Sequence, residues 1–149
     1  MIRPYTASDH NQVMNIYNAS KLDELAHEPK TVDLIPLQHD LARNKVIFDS
    51  NIYVIEQFNV IQGFIAIHRD NIAGLFVLPE SRGQGLAKLL LKHVITQYPK
   101  PLTLQVVRSN THAVYLYQSF GFKQIEASQA IYNGLSVPII RMILENDPL

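Results

Sequence analysis

Hydrophobic positions in the first third of the chain change from strand-like to helix-like spacing. Residues 2–5 form a short, mostly apolar stretch that ends at Thr-Ala-Ser-Asp, a sequence typical of a helix start. One face of the predicted first helix is marked by residues at helical spacing: Val13, Ile16 and Tyr17. A second helix is predicted between residues 31 and 43, broken or redirected near Pro36. Residues 21–30 have the least regular pattern of this part of the chain.

Three strand-like runs follow in the middle of the chain. Residues 52–57 and 60–68 are separated by Phe58-Asn59, which predicts a hairpin. A third run, residues 71–78, follows a turn at Arg69-Asp70. Consecutive strands joined by tight turns pair antiparallel, so the three runs predict a meander.

The second half alternates helices with strands. A helix is predicted from Leu86 toward Tyr98, and its apolar face is formed by Leu86, Leu89, Leu90 and Val94. Pro99 and Pro101 end this helix because proline cannot continue the backbone ladder. Residues 102–107 then form a strand rich in valine and leucine.

A last helix and two strands complete the pattern. Ser109-Asn110-Thr111 offers N-caps for the helix, and Gly121 is suited to its C-terminal end. The inner face of this helix comprises Ala113, Leu116, Tyr117 and Phe120. Residues 122–132 and 137–144 are strands joined by an Asn133-Gly134 turn. The order predicts an α/β fold, with one mostly antiparallel central sheet flanked by about four helices, in a single domain that spans residues 1–149.

Composition limits the classes of function. Hydrophobic residues make up 47% of the chain and charged residues 17%, as in a globular domain. The 13 Lys and Arg residues balance the 13 Asp and Glu residues without a basic stripe, so we expect no nucleic-acid partner. The absence of cysteine excludes disulfides and a cysteine nucleophile. No apolar run suits a bilayer and the first residues lack a secretory pattern, so we expect a cytoplasmic protein without a membrane partner.

The segment Arg82-Gly83-Gln84-Gly85 lies between a predicted strand and the start of a helix. Free amides at a helix N-terminus form an anion site, and glycine lets the backbone approach the anion closely. The segment lacks the lysine of a phosphate-binding Walker loop and the third glycine of a dinucleotide fingerprint. A tight strand-to-helix turn without a ligand is the alternative.

Several segments in order resemble the GNAT superfamily of acyl-CoA-dependent N-acetyltransferases. The phosphate-binding signature Q/R-x-x-G-x-G/A is matched by Arg82, Gly85 and Ala87. Downstream, residues 110–113 resemble the N-x-x-A element and residues 117–122 the Y-x-x-x-G-F element of that family. The predicted order of helices and strands is similar to the family fold from end to end.

The resemblance implies acetyl-CoA as the co-substrate, an amine as the acceptor and no metal. The backbone of Phe76 and Val77 would pair with the pantetheine arm like an added strand. The pyrophosphate would be bound by consecutive backbone amides, those of Gly83, Gln84, Gly85, Leu86 and Ala87. The thioester would lie where the two middle strands splay apart. Arg82 either contacts a phosphate or is solvated.

Tyr117 matches the tyrosine that often protonates the leaving thiolate in this family, a role for a general acid. Its spacing also fits the inner face of a helix, so a core position is the alternative. Asn110 is expected to hydrogen-bond the pantetheine arm, to cap its helix, or to do both. The resemblance does not supply a general base, because residues 71–77 contain no Asp or Glu. His68, Asp70 and Glu56 are candidates, with a surface position favoured for each.

The acceptor site is the feature on which the sequence gives the least information. The resemblance implies a pocket walled by the first two helices and the last hairpin, with Tyr17, Glu24, His27, Glu28 and Tyr132 as lining candidates. We predict direct acetyl transfer to the primary amine of a small molecule. A protein N-terminus or lysine, and a non-catalytic acyl-CoA-binding module, are the alternatives. Apolar residues of the last strand pack either within the chain or in a homodimer: Ile139, Ile140, Met142 and Ile143.

Overall fold

One mixed sheet organises the chain in a computed structural model that describes residues 1–148. The seven strands lie in the order β1-β2-β3-β4-β5-β7-β6, and every neighbouring pair is antiparallel except β4 and β5. The strands are β1 (Ile2–Pro4), β2 (Asn51–Gln57), β3 (Val60–His68), β4 (Asn71–Val77), β5 (Leu102–Val107), β6 (Lys123–Tyr132) and β7 (Leu135–Leu144). The helices are α1 (His10–Ser20), α2 (Leu41–Phe48), α3 (Leu86–Gln97) and α4 (Thr111–Ser119). The predicted fold class is thereby confirmed.

Side-chain alternation along the sheet divides the core between its two faces. On β3, Phe64 and Ala66 pack with residues of α1 and α2, whereas Ile65 and Ile67 pack with α3 and α4. This is the period of two that a strand imposes. The last strand, β7, is buried by this chain itself, since Ile140 is 3% exposed and Met142 is fully buried.

The two predicted hairpins are present, and their turn residues have the positive φ angles that two-residue loops require. Phe58 and Asn59 both have positive φ, 54° and 62°, and they join β2 to β3. Asn133 and Gly134 do the same between β6 and β7, with φ of 47° and 81°. Two consecutive left-handed residues match the twist of the paired strands.

The prediction of a helix within residues 31–43 was wrong, because α2 begins only at Leu41. Proline disfavours helical backbone at the residue before it, and Pro36 therefore keeps Ile35 out of a helix. Asp40 then starts the helix by accepting a hydrogen bond from the Arg43 amide at 3.2 Å. Residues 21–30 are more regular than expected, since Lys21–Leu25 form a 3-10 helix.

The apolar face predicted for α3 needs one correction. Leu89 is 50% exposed, and the buried residues of the helix are Leu86, Leu90, Leu91, Val94 and Ile95. Sequence spacing alone did not separate these neighbours, because the helix carries leucine at three consecutive positions, 89, 90 and 91.

Truncation of two adjacent leucines tests this assignment. We expect Leu90→Ala to lower the free energy of unfolding by about 2–5 kcal/mol, because it leaves a cavity at a fully buried site. Leu89→Ala, the matched control, should cost well under about 1 kcal/mol. Urea unfolding of the two variants measures the difference, and equal losses would contradict the orientation of α3.

An ion-pair network fixes the first strand and the first helical turn. Arg3 donates to both carboxylate oxygens of Asp9, at 2.8 and 2.9 Å, and also to Glu56 at 2.8 Å. The hydrogen bonds from Arg3 lower the pKa of Asp9 to about 2. Asp9 is 3% exposed, so its carboxylate is shielded from solvent, whereas the Arg3 side chain is 28% exposed.

Stability should therefore fall in acid. Because the pKa of Asp9 is lower in the folded than in the unfolded protein, its ionised form stabilises the fold at pH values above the unfolded pKa of about 4. This contribution is lost as the pH falls from about 4 through the folded pKa of about 2. We expect a loss of roughly 2 kcal/mol from Asp9 over that window. Unfolding measured across pH for the wild type and Asp9→Asn checks this, since the variant should lack that part of the acid dependence.

Candidate active site

A gap between the two parallel strands forms the centre of the site. β4 and β5 pair only at Asn71–Thr103 and Ile72–Leu104, after which they separate. Ala73 is an extra residue at a bulge between β3 and β4, and a bulge bends its strand and increases the local twist. The space that opens is a cavity of about 230 Å³. Its walls include both strands, α2, α4, the 3-10 helix after α1 and the β6–β7 hairpin.

The backbone of β4 offers unpaired groups to this gap. The Leu78 amide donates to the Gln62 carbonyl at 2.8 Å, which makes these two residues a hydrogen-bonded pair of the antiparallel ladder. Because such pairs alternate, Phe76 directs its amide and carbonyl to β3, and Leu75 and Val77 direct theirs to the gap. The side chain of Phe76 is buried against Tyr17 and Phe64.

The glycine-rich segment leads directly into α3 in the geometry of an anion cradle. Gly83 and Gly85 have φ of 79° and 76°, a conformation that favours glycine. A Cβ added at either position would meet no atom within 4 Å, so the space beside both backbones is open. Gly85 is the N-cap of the 12-residue α3 and provides no side-chain cap. The first amides of the helix, those of Leu86, Ala87 and Lys88, therefore remain available to a ligand.

The exposed side chain of Arg82 forms an ion pair with an acidic residue. Its guanidinium donates to Asp23 at 2.6 Å, and both side chains are about half exposed. This pair connects the glycine-rich segment to the 3-10 helix after α1. An exposed pair of this kind contributes little stability, so a bound phosphate can compete for the guanidinium.

Tyr117 lies on α4 at the wall of the cavity. The residue is 8% exposed, and its ring packs edge-on against Phe122 with centroids 5.9 Å apart. Its hydroxyl has no hydrogen-bond partner among residues 1–148 and is not one of the fully enclosed polar atoms, so it opens to the cavity. Burial raises the pKa of Tyr117, and the charge of Glu24 raises it further. The phenol is therefore protonated at neutral pH, which is the state that a general acid requires.

Asn110 is placed to contact a ligand with its side chain. It precedes α4 as the N-cap residue, yet its side chain makes no capping hydrogen bond. The backbone carbonyl of Asn110 accepts from Val114 at 3.1 Å, and the residue lines the cavity. Its amide group is therefore available, in contrast to an ordinary capping asparagine.

The predicted acceptor residues divide into two groups. Glu24 and Tyr132 line the cavity, with Lys21 beside them, which sequence reasoning missed. Lys21 pairs with Glu24 at 3.0 Å and lies 5.3 Å from the centre of the Tyr132 ring. The other three residues do not line the cavity: Tyr17, His27 and Glu28.

Two of these three residues lie in other environments. Tyr17 is fully buried in the core, and its hydroxyl has no hydrogen-bond partner in the described part of the chain. Glu28 accepts a hydrogen bond from the hydroxyl of Ser109 and so connects the helical segment to the end of β5.

None of the three general-base candidates on the strands reaches the cavity. Glu56 pairs with Arg3 of the edge strand β1, while His68 and Asp70 lie at the exposed turn between β3 and β4. Glu24 is the one carboxylate among the described residues that line the cavity. The sequence offered Glu24 only as a lining candidate of the acceptor pocket, and no local pattern marked it as a base, because it lies in the segment with the least regular spacing.

Two further findings concern residues 1–148. They contain no cluster of three or more His, Cys, Asp or Glu side chains that could hold a metal ion. None of their helices combines the length and the apolar character needed to cross a membrane.

Comparison with known proteins identifies the family. Residues 36–145 match the model of the acetyltransferase (GNAT) domain, which covers more than half of the chain. The chain belongs to this family. Its resemblance to GNAT proteins, inferred above from residues 82–87, 110–113 and 117–122, is thereby confirmed.

The individual proteins that this chain resembles include several named as N-acetyltransferases. A peptidyl-lysine N-acetyltransferase, YjaB of Salmonella typhimurium, is 36% identical over 81 residues, 54% of this chain and 55% of the relative. The chain thus spans about half the length of the curated relatives it matches. Among solved structures, apo YjaB from Escherichia coli has a TM-score of 0.74 at 24% identity, covering 96% of this chain and 95% of that one. A ribosomal-protein-alanine N-acetyltransferase from Brucella melitensis has a TM-score of 0.74 at 18% identity, covering 98% and 99%.

Proposed function

We propose that this protein is an acetyl-CoA-dependent N-acetyltransferase that transfers the acetyl group directly to a primary amine. The observation that carries the proposal is the position of Tyr117, which lines the cavity between β4 and β5 and whose hydroxyl makes no hydrogen bond within residues 1–148. Family membership supports the same reaction. The absence of cysteine is consistent with direct transfer, because no acyl-cysteine can form.

The free backbone groups of the site suit acetyl-CoA. The amides from Gly83 to Ala87 would bind the pyrophosphate at the start of α3. Leu75 and Val77 would pair with the amides of the pantetheine arm, since their backbone groups face the gap. Asn110 would add a side-chain hydrogen bond from the opposite wall. In this arrangement Phe76 contributes packing, and Leu75 takes the pairing role that the family resemblance implied for Phe76.

The chain's own side chains would then handle the protons. The neutral amine nitrogen attacks the thioester carbonyl, a C–N bond forms, and the C–S bond breaks. Tyr117 donates its phenolic proton to the departing sulfur. The amine gives up a proton to Glu24, directly or through a water, and solvent exchange restores both residues. Lys21 holds the Glu24 carboxylate in place through their 3.0 Å contact.

For the acceptor we propose the primary amine of a small molecule. The hairpin that forms one wall is tied down at its tip, because the Tyr132 hydroxyl accepts from the Ile35 amide at 2.8 Å. Asn133 donates to the Asp33 carbonyl at 3.0 Å, which closes the same side of the site. These contacts leave less room for a polypeptide than an open groove would. The relatives named as peptidyl-lysine N-acetyltransferases favour a protein lysine as the second candidate.

Thiol release from acetyl-CoA across a panel of amino acids, polyamines, aminoglycosides and lysine peptides tests the proposal. We expect turnover with at least one small amine, and acetyl-CoA alone should raise the melting temperature. If acetyl-CoA raised the melting temperature but no acceptor gave thiol release, the protein would be a binding module instead of an enzyme. A cytoplasmic location and a homodimer stay predictions.

A further inference from the structure

Among the described residues, one cation at the wall of the cavity has no ion-pair partner. The charged side chains that line the cavity are Lys21, Glu24 and Arg43. Lys21 and Glu24 pair with each other. The guanidinium of Arg43 makes no ion pair within residues 1–148. Its one hydrogen bond there is long, 3.5 Å from Nη1 to the carbonyl oxygen of Ala73.

The local structure explains why no acid within residues 1–148 pairs with Arg43. Asp40, the nearest acid in the sequence, caps α2 by accepting from the backbone amide of Arg43 instead of its side chain. Ala73 is the bulge residue of β4, so the contact to its carbonyl places the guanidinium at the edge of the gap. Arg43 is also half-buried, and a partly desolvated cation without a partner favours an incoming anion.

We infer that the acceptor amine carries an anionic group, a carboxylate or a phosphate, which Arg43 binds while the amino group faces Glu24 and Tyr117. This rests on the proposed transferase function and narrows its substrate class. A guanidinium presents a planar fork of N–H donors that matches two oxygens of either anion. With two cations and one carboxylate at its wall, the cavity accepts a zwitterion better than a polyamine.

Matched pairs of acceptors provide the test, because each pair differs only in the anionic group. Ornithine is compared with putrescine, and phosphoethanolamine with ethanolamine, by thiol release from acetyl-CoA. We expect kcat/KM to be at least about tenfold higher for the anionic member of one pair, as a charge-assisted hydrogen bond provides. The pair that shows the preference distinguishes carboxylate from phosphate.

Two variants assign that preference to Arg43. Arg43→Met should remove it by raising the KM for the anionic acceptor at least about tenfold, with the KM for acetyl-CoA unchanged. Lys45→Met is the matched control, since Lys45 lies on the same helix, is 78% exposed and pairs with Asp49. It should retain the preference. Thermal unfolding verifies that both variants are folded.

The outcomes separate this inference from the proposed function. Equal rates within both pairs, or a preference that survives in Arg43→Met, would overturn the inference and leave the transferase standing. Best turnover with a lysine peptide that lacks a nearby free anion would do the same. If no amine or peptide gave thiol release, both the inference and the proposed transferase function would be refuted.

Discussion

Replacing Tyr117 with phenylalanine is expected to lower kcat about 10²–10⁴-fold, the usual contribution of a positioned general acid. The variant loses only the hydroxyl, which makes no hydrogen bond within the described residues, so the packing against Phe122 is kept. The fold and the affinity for acetyl-CoA should therefore change little. Steady-state thiol release measures kcat, and a thermal-shift titration measures acetyl-CoA binding.

Tyr115 provides the matched control for this experiment. It lies on the same helix, but it is 72% exposed and does not line the cavity. Tyr115→Phe should keep wild-type kcat. If Tyr117→Phe also kept full activity, Tyr117 would be a packing residue, and the proton for the leaving sulfur would come from water.

Replacing Gly85 with valine is expected to weaken acetyl-CoA binding about 10- to 100-fold, because hydrogen bonds to a charged group contribute about 1.5–3 kcal/mol. The new side chain would fill the open space beside the backbone where the pyrophosphate is expected. A φ of 76° is also unfavourable for a β-branched residue and should cost about 1–2 kcal/mol of stability.

Gly134 separates the two effects. It has φ of 81° and equally open surroundings, but it lies in the β6–β7 turn, away from the glycine-rich segment. Gly134→Val should lose similar stability and keep its affinity for acetyl-CoA. Calorimetric titration and urea unfolding of both variants provide the comparison. Equal affinities would show that the start of α3 is not the pyrophosphate site.

Much of the fold was accessible from the sequence because local rules and tertiary packing agree. Both hairpin turns, the glycine-rich segment and the position of Tyr117 on an inner helix face are such cases. The predictions were wrong where neighbouring residues had the same character, so that spacing did not show which of them is buried. In α3, consecutive leucines left the buried face undetermined, and only packing against the sheet selected Leu90 over Leu89.

Sequence motifs indicated a donor site, whereas only the family resemblance offered candidates for the acceptor wall. Residues 82–87 and 110–122 are contiguous motifs, so their chemistry is visible in the sequence. The acceptor wall combines Glu24, Arg43 and Tyr132, which are distant in sequence and lie on three different elements. No spacing rule connects such residues.

The sequence by itself determined the order of strands and helices, the glycine torsions at the start of α3 and the membership of a protein family. These depend on short-range periodicity and on the conformational freedom of single residues. Tertiary structure alone decided which charges share the cavity. The bulge at Ala73 and the separation of β4 from β5 depend on strand register, which long-range pairing sets. Through that register Arg43 reaches the edge of the gap without an ion-pair partner in the described part of the chain.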